Sequence, residues 1–386
     1  MKFFHLSDLH LGKHLFYYSL MEDQRYVLEQ VIEAAKREKP QAVLLSGDIY
    51  DKPGPSAEAV RLLDWFLTEL CCIRPGIEIL MIAGNHDSGE RLEFARNLLE
   101  KSGVHIAGMP PGEPKECLKK VTLEDEYGEV HFYLLPFTKP SYVRGKLEGK
   151  SIGSYEEAVR GLLEKEQIDS SARNVLLSHQ FYTAGSWSPD TCDSEIRMVG
   201  GVDEVNTGVL KDFDYAALGH IHRAQKIGQE NYRYAGTLLK YSVSEADHVK
   251  SFTMIQMREK GEPLTITQIP VTPLRDLKAL RGTLQEVLEQ REAAHDFVSI
   301  TLTDEEEPYL PKERLELIFD HILEIRIDNA RTRKILDYDN VEEEEEDVFT
   351  AFGTFFEMIQ GREMNEAEQE NLTEVWNRVQ EGGDRP

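Results

Sequence analysis

The sequence predicts an α/β protein, because short apolar segments alternate with amphipathic segments of helical period through the first two-thirds of the chain. At 386 residues the chain is too long for one core of ordinary size, so we expect two or more domains. Its composition, 40% hydrophobic and 30% charged residues, is typical of a soluble globular protein. The apolar runs are far shorter than the ~20 residues that a membrane helix needs, so no membrane span is expected.

The predicted elements of this region alternate along the chain. We predict strands at Lys2–Leu6, Ala42–Leu45, Ile77–Ile82, Val130–Leu135, Asn174–Leu177 and Tyr215–Leu218. We predict helices at Gln24–Arg37, Ala57–Leu70, Glu90–Lys101 and Tyr155–Glu166. A stretch rich in Ser, Asp and Gly, Ser186–Val205, is expected to be a long loop.

The texture of the sequence changes after about Pro273. A small α+β module is predicted there from a helix, a strand, a second helix and a second strand at Leu284–His295, Phe297–Thr303, Lys312–Leu323 and Glu324–Ile327. An acidic run, Glu342–Glu346, follows and is typical of a solvated linker. We therefore predict three regions: 1–273, an α/β domain; 274–336, an α+β cap; and 337–386, an acidic linker with a helix pair.

The predicted helix pair has two apolar faces. From Val348 to Ile359 the apolar residues fall on one helical face, and a second face runs from Leu372 to Val379. Asn365 and Glu368 between them resemble a capping box. Two helices of this size cannot bury such faces alone. They could pack on the chain's own domains or dock on a partner, and the acidic linker favours docking.

The net charge of −26 argues at first against a nucleic-acid partner, because DNA-binding proteins usually present a basic surface. The acidity is unevenly distributed, however. Residues 1–250 hold 29 Lys and Arg against 38 Asp and Glu, whereas residues 301–386 hold 9 against 25. The charge is thus mainly a C-terminal property, and it does not exclude DNA as a substrate.

The cysteines and the first residues of the chain indicate the cellular compartment in which the protein is expected. The four cysteines, Cys71, Cys72, Cys117 and Cys192, form no CxxC pair and predict reduced thiols in a cytoplasmic protein. The chain enters a strand-like run almost at its first residue, which leaves no room for a signal peptide.

Five short segments place metal-type ligands directly after predicted strands: Ser7–His10, Gly47–Asp48, Gly84–Asp87, Ser178–His179 and Gly219–His222. In open α/β sheets, residues beyond the carboxyl ends of strands converge on one crevice. A lone Asp or His has an ordinary structural explanation, but this ordered set is not expected by chance. We predict that the segments gather seven metal ligands: Asp8, His10, Asp48, Asn85, His179, His220 and His222.

The predicted ligands suit a pair of divalent cations. Mixed carboxylate, imidazole and amide-oxygen ligation favours a borderline cation such as Mn²⁺ over the all-oxygen cages of Ca²⁺. Two metals about 3.5–4 Å apart need one shared carboxylate. Their charge outweighs that of Asp8 and Asp48, so the site can attract a phosphate even within an acidic protein.

These segments resemble the signature of the calcineurin-like metallophosphoesterases over roughly residues 1–240. The resemblance implies a sandwich of two β-sheets flanked by helices. Within that superfamily the chain is similar to the SbcD family of nuclease subunits, on segments that continue into the cap: His5–Gly12, Leu177–Phe181, Asp193–Glu195, Val199–Gly201, Ala217–Arg223, Leu239–Ser242 and Leu274–Leu277. One departure is Gly236-Thr237-Leu238, where the family commonly has Gly-Ser-Pro.

The resemblance also implies residue roles. One metal would be held by Asp8, His10, Asp48 and His222, and the other by Asp48, Asn85, His179 and His220, with Asp48 bridging. His86 would be the catalytic histidine that assists departure of the leaving alkoxide after in-line attack on phosphorus. Asp87 could orient the His86 ring.

The resemblance further implies an Mn²⁺-dependent DNA nuclease of repair and recombination: a 3′–5′ exonuclease on double strands and an endonuclease on single strands and hairpins. Its partner would be an SbcC-type coiled-coil ATPase, bound through about residues 348–380, with a homodimer inside a heterotetramer. The motifs alone leave open a phosphatase, a cyclic-nucleotide phosphodiesterase or a non-catalytic scaffold. The cap and terminal helices argue against a small substrate, and the complete ligand set argues against a scaffold.

Residues that could follow a phosphate backbone are modest in number. The basic ones near the five segments are Lys13, Arg91, Arg223 and Lys240, with a further cluster of Lys139, Arg144, Lys146 and Lys150. The neighbouring aromatic residues are Phe16, Tyr17, Tyr18, Phe181 and Tyr182. Each could equally be an ordinary surface or core residue.

Overall fold

The computed structural model describes residues 1–74, 76–147, 152–195, 203–306, 308–330 and 332, and, further on, residues 352, 353, 355, 356, 362, 364, 365, 368, 369 and 371–373. The chain divides into two compact units. One comprises Met1–Leu302 and Tyr309–Arg326, and the other comprises Thr303–Pro308 and Ile327–Pro386.

The strands of the described residues are β1 (Lys2–Leu6), β2 (His14–Leu15), β3 (Tyr18–Ser19), β4 (Ala42–Ser46), β5 (Glu78–Ile82), β6 (Val104–Ala107), β7 (Lys119–Asp125), β8 (Gly128–Leu135), β9 (Arg173–His179), β10 (Phe181–Thr183), β11 (Glu204–Asn206), β12 (Tyr215–Gly219), β13 (Gln225–Ile227), β14 (Gln229–Tyr234), β15 (Ser251–Gln256), β16 (Thr265–Pro270), β17 (Leu277–Gly282), β18 (Phe297–Leu302) and β19 (His321–Ile327). The α-helices are α1 (Met21–Glu38), α2 (Ala57–Cys72), α3 (Gly89–Leu92), α4 (Arg96–Leu99), α5 (Pro140–Val143), α6 (Tyr155–Leu163), α7 (Leu284–Glu289) and α8 (Pro311–Leu315).

Two mixed sheets form the body of the first unit. The first has the strand order β16-β15-β1-β4-β5-β6, in which β1, β4, β5 and β6 run parallel. The second has the order β13-β14-β12-β9-β8-β7, in which β14, β12, β9 and β8 run parallel. Antiparallel strands therefore lie only at the margins of the parallel cores, and all strands that precede the predicted ligands are parallel.

The sheets pack face to face between two helical layers. Between the sheets lies a core that includes Phe3, Leu44, Phe132 and Val175. The outer face of the first sheet packs on α1 and α2, and that of the second packs on α6. Because both faces of the sheets are covered, central parallel strands are largely apolar, as in the fully buried β4.

A third sheet, β17-β18-β19, lies in the C-terminal part of the first unit. Strands β17 and β18 are parallel, and they form a separate core with α7 and α8 that includes Val287, Ile300 and Phe319. This is the predicted α+β arrangement of a helix, a strand, a helix and a strand, with β17 added before them. The boundaries at 273 and 336 remain predictions.

Several predicted elements are corrected by the structure. The single helix expected over Glu90–Lys101 is broken into α3, α4 and a short 3₁₀ turn, with Ala95 in the left-handed region at φ 58°. The break has a tertiary cause, since the Glu93 carboxylate accepts a hydrogen bond from the Gly108 backbone N–H at 2.8 Å. The helices expected over Leu284–His295 and Lys312–Leu323 are likewise shorter: a 3₁₀ turn at Arg291–Ala293 follows α7, and β19 begins at His321, three residues before its predicted start.

The second unit contains the acidic run and most of the predicted helix pair, which lie outside the described residues. A local feature that the structure describes in this region is the link between Asn365 and Glu368. The Asn365 N–H donates to Glu368 Oε2 at 2.9 Å, and the Glu368 N–H donates to Asn365 Oδ1 at 3.0 Å. These reciprocal bonds confirm the predicted capping box.

Among the described residues, no helix combines the length and the apolar character that a membrane crossing requires.

Candidate metal centre

The five ligand-bearing segments all follow the carboxyl ends of parallel strands. Strands β1, β4 and β5 are neighbours in the first sheet, and β9 and β12 are neighbours in the second. Since the two sheets pack face to face, their strand ends meet at one edge of the sandwich. All seven predicted ligands are brought together there. His10, His222, Asn85, His179 and His220 each lie within hydrogen-bonding distance of another of the seven, and Asp8 and Asp48 belong with them to groups of side chains that could hold a metal ion.

One half of the cluster consists of Asp8, His10 and His222, whose ligand atoms lie close enough to hold one ion. The Nε2 atoms of His10 and His222 are 3.3 Å apart, although the residues are 212 positions apart in sequence. All three side chains are buried. This spacing also suits two imidazole ligands of one tetrahedral cation, in which each nitrogen would lie about 2.1 Å from the metal.

The other half is centred on Asn85, with Asp48, His179 and His220 around it. Asn85 Oδ1 lies 3.1 Å from His179 Nε2 and 2.9 Å from His220 Nδ1. Asp48 Oδ2 lies 3.4 Å from His179 Nε2 and 3.6 Å from His10 Nε2, so this oxygen stands between the two halves. That is the position which a bridging carboxylate needs.

The tautomer of His179 follows from its hydrogen bond. Its Nδ1 lies 2.7 Å from the backbone carbonyl of Ser46, which can only accept, so Nδ1 carries the proton. Nε2 is then the atom that faces Asn85 and Asp48, and it is the atom that a bound cation would take. An outer hydrogen bond of this kind is the usual way in which proteins orient an imidazole ligand.

The backbone at the site is strained. Asp8, His10 and Asp48 lie in the left-handed region at φ 53°, 44° and 48°, which non-glycine residues rarely adopt. Glycines are needed where segments meet: a Cβ on Gly219 would lie 2.0 Å from the Ser46 carbonyl, and one on Gly84 would lie 2.1 Å from Asp48 Oδ1. These contacts explain why Gly precedes His and Asn in the motifs.

The electrostatics of the cluster favour positive charge. Burial raises the pKa of Asp8. Burial would also raise the pKa of Asp48, but the neighbouring His179 and His10 outweigh it and hold that pKa well below its usual range. Burial alone would lower the pKa of His179, yet Asp48 and Asp8 raise it to about 9. Two buried carboxylates thus demand a compensating charge, which divalent cations would supply.

His220 and His10 are, by contrast, held neutral. Burial, followed by the charge of His179, lowers the pKa of His220 to about 3. Burial also lowers the pKa of His10 well below its ordinary value. Metal ligands must be deprotonated imidazoles. The residues present therefore fit a pair of divalent cations, with Asp48 as the shared ligand.

His86 lies at the edge of this cluster and is partly exposed. Its ring meets the His10 ring edge-on at 4.8 Å between centroids, and its backbone N–H donates to Asp48 Oδ1 at 2.8 Å. Its Nδ1 lies 3.0 Å from the Asp51 carbonyl, so that nitrogen donates and Nε2 is left as the reactive atom. His86 also forms a possible ligand group with His10 and Asp48, so its catalytic role stays a prediction.

The predicted role of Asp87 as the group that orients the His86 ring is corrected. The Asp87 carboxylate accepts hydrogen bonds from the backbone N–H groups of Ile49, Tyr50 and Gly84 at 3.0, 2.9 and 2.9 Å. It therefore joins the loop after β4 to the loop after β5. The Asp51 carbonyl orients the ring instead, and no sequence pattern pointed to a backbone atom.

Two of the aromatic residues considered for backbone tracking are also corrected. Phe181 and Tyr182 are buried in the core between the second sheet and α6. Tyr17 is 91% exposed and Phe16 is 48% exposed, so these two remain available to a ligand. Lys13 and Lys240 are paired with Asp51 and Asp276 at 2.8 and 2.9 Å.

Comparison with protein families gives two matches. Residues 1–224 match the model of the calcineurin-like phosphoesterases, and residues 273–359 match the type 5 capsule protein repressor C-terminal domain. Two relatives are named as the SbcD component of the nuclease SbcCD. The one from Staphylococcus epidermidis is 29% identical over 378 residues, which cover 96% of this chain and 97% of the relative. The one from Staphylococcus saprophyticus is 28% identical over the whole of both chains.

Among solved structures, a dimetal phosphatase from Danio rerio is similar to this chain with a TM-score of 0.41 and 14% identity. It covers 71% of this chain and 99% of its own. The family match over residues 1–224 and the two-sheet architecture confirm the predicted sandwich.

Proposed function

The chain belongs to the calcineurin-like phosphoesterase family, and from that premise we propose that it is the metal-dependent nuclease component of an SbcCD-type complex. The single observation that carries the proposal is the convergence of the seven predicted ligand side chains, with Asp48 Oδ2 between the two halves of the cluster. The choice of DNA as substrate is supported by two relatives named as components of the SbcCD nuclease, which align over nearly their entire length.

The finer proposal concerns metal and substrate. The metals would be Mn²⁺, because the site mixes carboxylate, amide and imidazole ligands. The reaction would be hydrolysis of phosphodiester bonds, by 3′–5′ exonuclease action on double strands and endonuclease action on single strands and hairpins. The cell would use this activity in DNA repair and recombination.

Asp8, His10, Asp48 and His222 would hold one cation, and Asp48, Asn85, His179 and His220 would hold the other. When bound, the pair supplies charge neutralisation for the phosphate and an activated water. The chain's own contribution is to fix these ligands: Ser46 sets the tautomer of His179, and the glycines let the loops approach each other.

His86 would act on the substrate itself. With Nδ1 bound to the Asp51 carbonyl, its ring is held in one orientation and its Nε2 can meet the phosphate or the leaving oxygen. A protonated Nε2 would donate a proton to the departing alkoxide, which is general acid catalysis. The nearby Asp48 carboxylate fixes the His86 backbone, so ring and cations would keep a constant geometry.

The assembly is also proposed rather than observed. We infer an SbcC-type coiled-coil ATPase as the partner, bound through about residues 348–380, and a homodimer of this chain within a heterotetramer. Residues 273–359 match a C-terminal family domain, and this match supports a function of its own for that region. A cytoplasmic location is supported by four cysteines without a disulfide.

The nuclease proposal is tested with the purified full chain, Mn²⁺ and end-labelled DNA, either linear double strands or hairpins, with and without the ATPase partner. We expect the DNA to be degraded, and we expect a chelator to stop degradation because the ligands alone supply no activated water. Small phosphomonoesters and cyclic nucleotides serve as the control substrates. Cleavage of these with no action on DNA would instead establish the small-substrate phosphatase or phosphodiesterase.

A further inference from the structure

Glu245 is a fully buried carboxylate outside the predicted ligand set. Its Oε1 accepts hydrogen bonds from Ser194 Oγ at 2.7 Å, Ser242 Oγ at 3.0 Å and the Tyr241 N–H at 3.1 Å, and its Oε2 accepts one from Lys250 Nζ at 2.5 Å. Burying a carboxylate is costly unless its lone pairs meet donors. Four donors converge here, so the group is ionised and can only accept.

The charge of Glu245 is matched by the Lys250 ammonium, whose Nζ also donates to Thr237 Oγ1 at 2.7 Å. Glu245 also lies near Cys192 and His248 in a possible metal-ligand group. Because the Lys250 ammonium already neutralises Glu245, a cation in that group would face like charge, and a different role for Glu245 is indicated.

Ser194 connects this carboxylate to the metal cluster. Its Oγ lies 2.7 Å from Glu245 Oε1 and also 2.7 Å from His222 Nδ1. A hydroxyl has one proton to donate, and the ionised Glu245 must receive it. The serine oxygen is therefore an acceptor toward His222, so Nδ1 of His222 carries a proton. The lone pair of that ring is then on Nε2, the atom that faces His10.

The backbone of His222 is held from the same side. Its N–H donates to Glu195 Oε1 at 2.7 Å, and its carbonyl accepts from Lys250 Nζ at 3.0 Å and from the Thr237 N–H at 3.0 Å. Thr237 belongs to the segment that departs from the family's Gly-Ser-Pro. The segments near residues 194, 237 and 245–250 thus surround His222. Ser194 and Glu245 lie beside its imidazole ring.

We propose, on the basis of the metal-binding part of the proposed function, that Ser194 and Glu245 are positioning residues for the metal ligand His222. They fix the tautomer and the orientation of its ring, and so they set the affinity of the metal position formed by Asp8, His10 and His222. Outer hydrogen-bond partners of this kind typically change metal affinity by about 10–100-fold when they are removed.

The test is a titration of the full chain with Mn²⁺. Calorimetry measures the heat of binding, and electron paramagnetic resonance measures the free Mn²⁺. In Ser194→Ala we expect one of two bound ions to be held about 10–100-fold more weakly and the other to be unaffected. Ser194→Thr keeps the hydroxyl and should restore the weakened ion. Ser194→Ala also removes one of four donors to the buried Glu245, so a thermal unfolding curve of each variant establishes that the protein is folded under the conditions of the titration.

The matched control is Ser242→Ala. Ser242 donates to the same Glu245 oxygen, yet among the described residues it has no bond to the His222 ring. Wild-type Mn²⁺ affinity in Ser242→Ala supports the inference. Equal losses in both variants, or wild-type affinity in Ser194→Ala, would overturn it.

The outcome is separable from that of the DNA assay. Selective loss of one ion in Ser194→Ala, with no cleavage of DNA by the wild-type chain, would contradict the nuclease proposal alone. Unchanged ion binding in Ser194→Ala, with DNA cleavage by the wild type, would contradict the positioning role alone.

Discussion

At the scale of single residues, the site depends on which atom of each side chain faces inward. His179 and His222 both present Nε2, because Ser46 and Ser194 occupy their Nδ1 atoms. The Nδ1 of His86 is likewise held, by the Asp51 carbonyl, but its ring lies at the edge of the cluster and is partly exposed. This difference in exposure separates a residue that can meet substrate from the buried residues predicted as ligands.

Replacement of His86 by Ala is expected to lower DNA cleavage by about 10²–10⁴-fold, the usual contribution of a general acid. Mn²⁺ binding should be largely retained, because seven other ligands remain. Cleavage rates and an Mn²⁺ titration on the same preparation measure both effects. Loss of a bound ion in this variant would show that His86 is itself a ligand, as its place near His10 and Asp48 would allow.

At the scale of secondary-structure elements, a buried arginine joins the two sheets at the end away from the metal cluster. Arg173 begins β9 and is 2% exposed. Its guanidinium donates to both oxygens of Asp125 at 2.5 and 3.1 Å, to the Gly128 carbonyl at 2.6 Å and to the Arg258 carbonyl at 3.0 Å. The ends of β7, β8 and β15 are thereby held to one side chain.

The ion pair of Arg173 and Asp125 predicts that the folded protein loses stability in acid. Burial would raise the pKa of Asp125, but the bonds to Arg173 and to the N-terminal ammonium of Met1 outweigh burial and lower the pKa to about 2. An Asp in an unfolded chain has a pKa of about 3.9. At pH values between the folded and the unfolded pKa, the unfolded state therefore binds more protons than the folded state. The stabilisation is therefore present above about pH 4 and is lost as pH falls toward about 2.

Thermal unfolding of wild type and Asp125→Asn across this pH range measures the effect. The substitution should cost about 3 kcal/mol at neutral pH, because it leaves a buried guanidinium without its charge partner. The two unfolding temperatures should converge as the pH falls. Parallel curves would mean that the ion pair contributes nothing to the pH dependence.

At the scale of the whole molecule, acidity and chemistry are separated along the chain. The metal cluster lies within residues 1–222, whereas residues 301–386 carry most of the net charge of −26. The chain also divides into two compact units, and the metal cluster belongs wholly to the first. The net negative charge of the chain is thus compatible with an acidic substrate, because most of this charge lies outside the segments that form the metal cluster.

Deletion of residues 348–386 is expected to remove binding to the ATPase partner and to leave Mn²⁺ binding and thermal unfolding unchanged. The reason is that all seven metal ligands and both large sheets are in the first unit. Co-purification with the ATPase, an Mn²⁺ titration and an unfolding curve are the measurements. If the shortened chain unfolds, the terminal helices are part of its own core.

The sequence by itself determined most strands of the parallel cores and the seven residues that converge at their carboxyl ends. Both are local properties, since a fully buried strand is a continuous apolar run and its carboxyl end leads directly into a Gly-Asp or Gly-His turn. Strand β1, for example, has the predicted bounds Lys2–Leu6. Strands β13 to β17 carry weaker patterns, and they were not predicted.

Only the tertiary structure decided how the ligands are held. Asp51 in place of Asp87 as the partner of His86, the break in the helix near Ala95, and the link from Glu245 through Ser194 to His222 all join residues that no local pattern connects. Ser194 and Glu245 are 51 positions apart, and His10 and His222 are 212 apart. Such contacts depend on how the sheets pack, because packing brings distant strand ends to one place and so assigns each donor its acceptor.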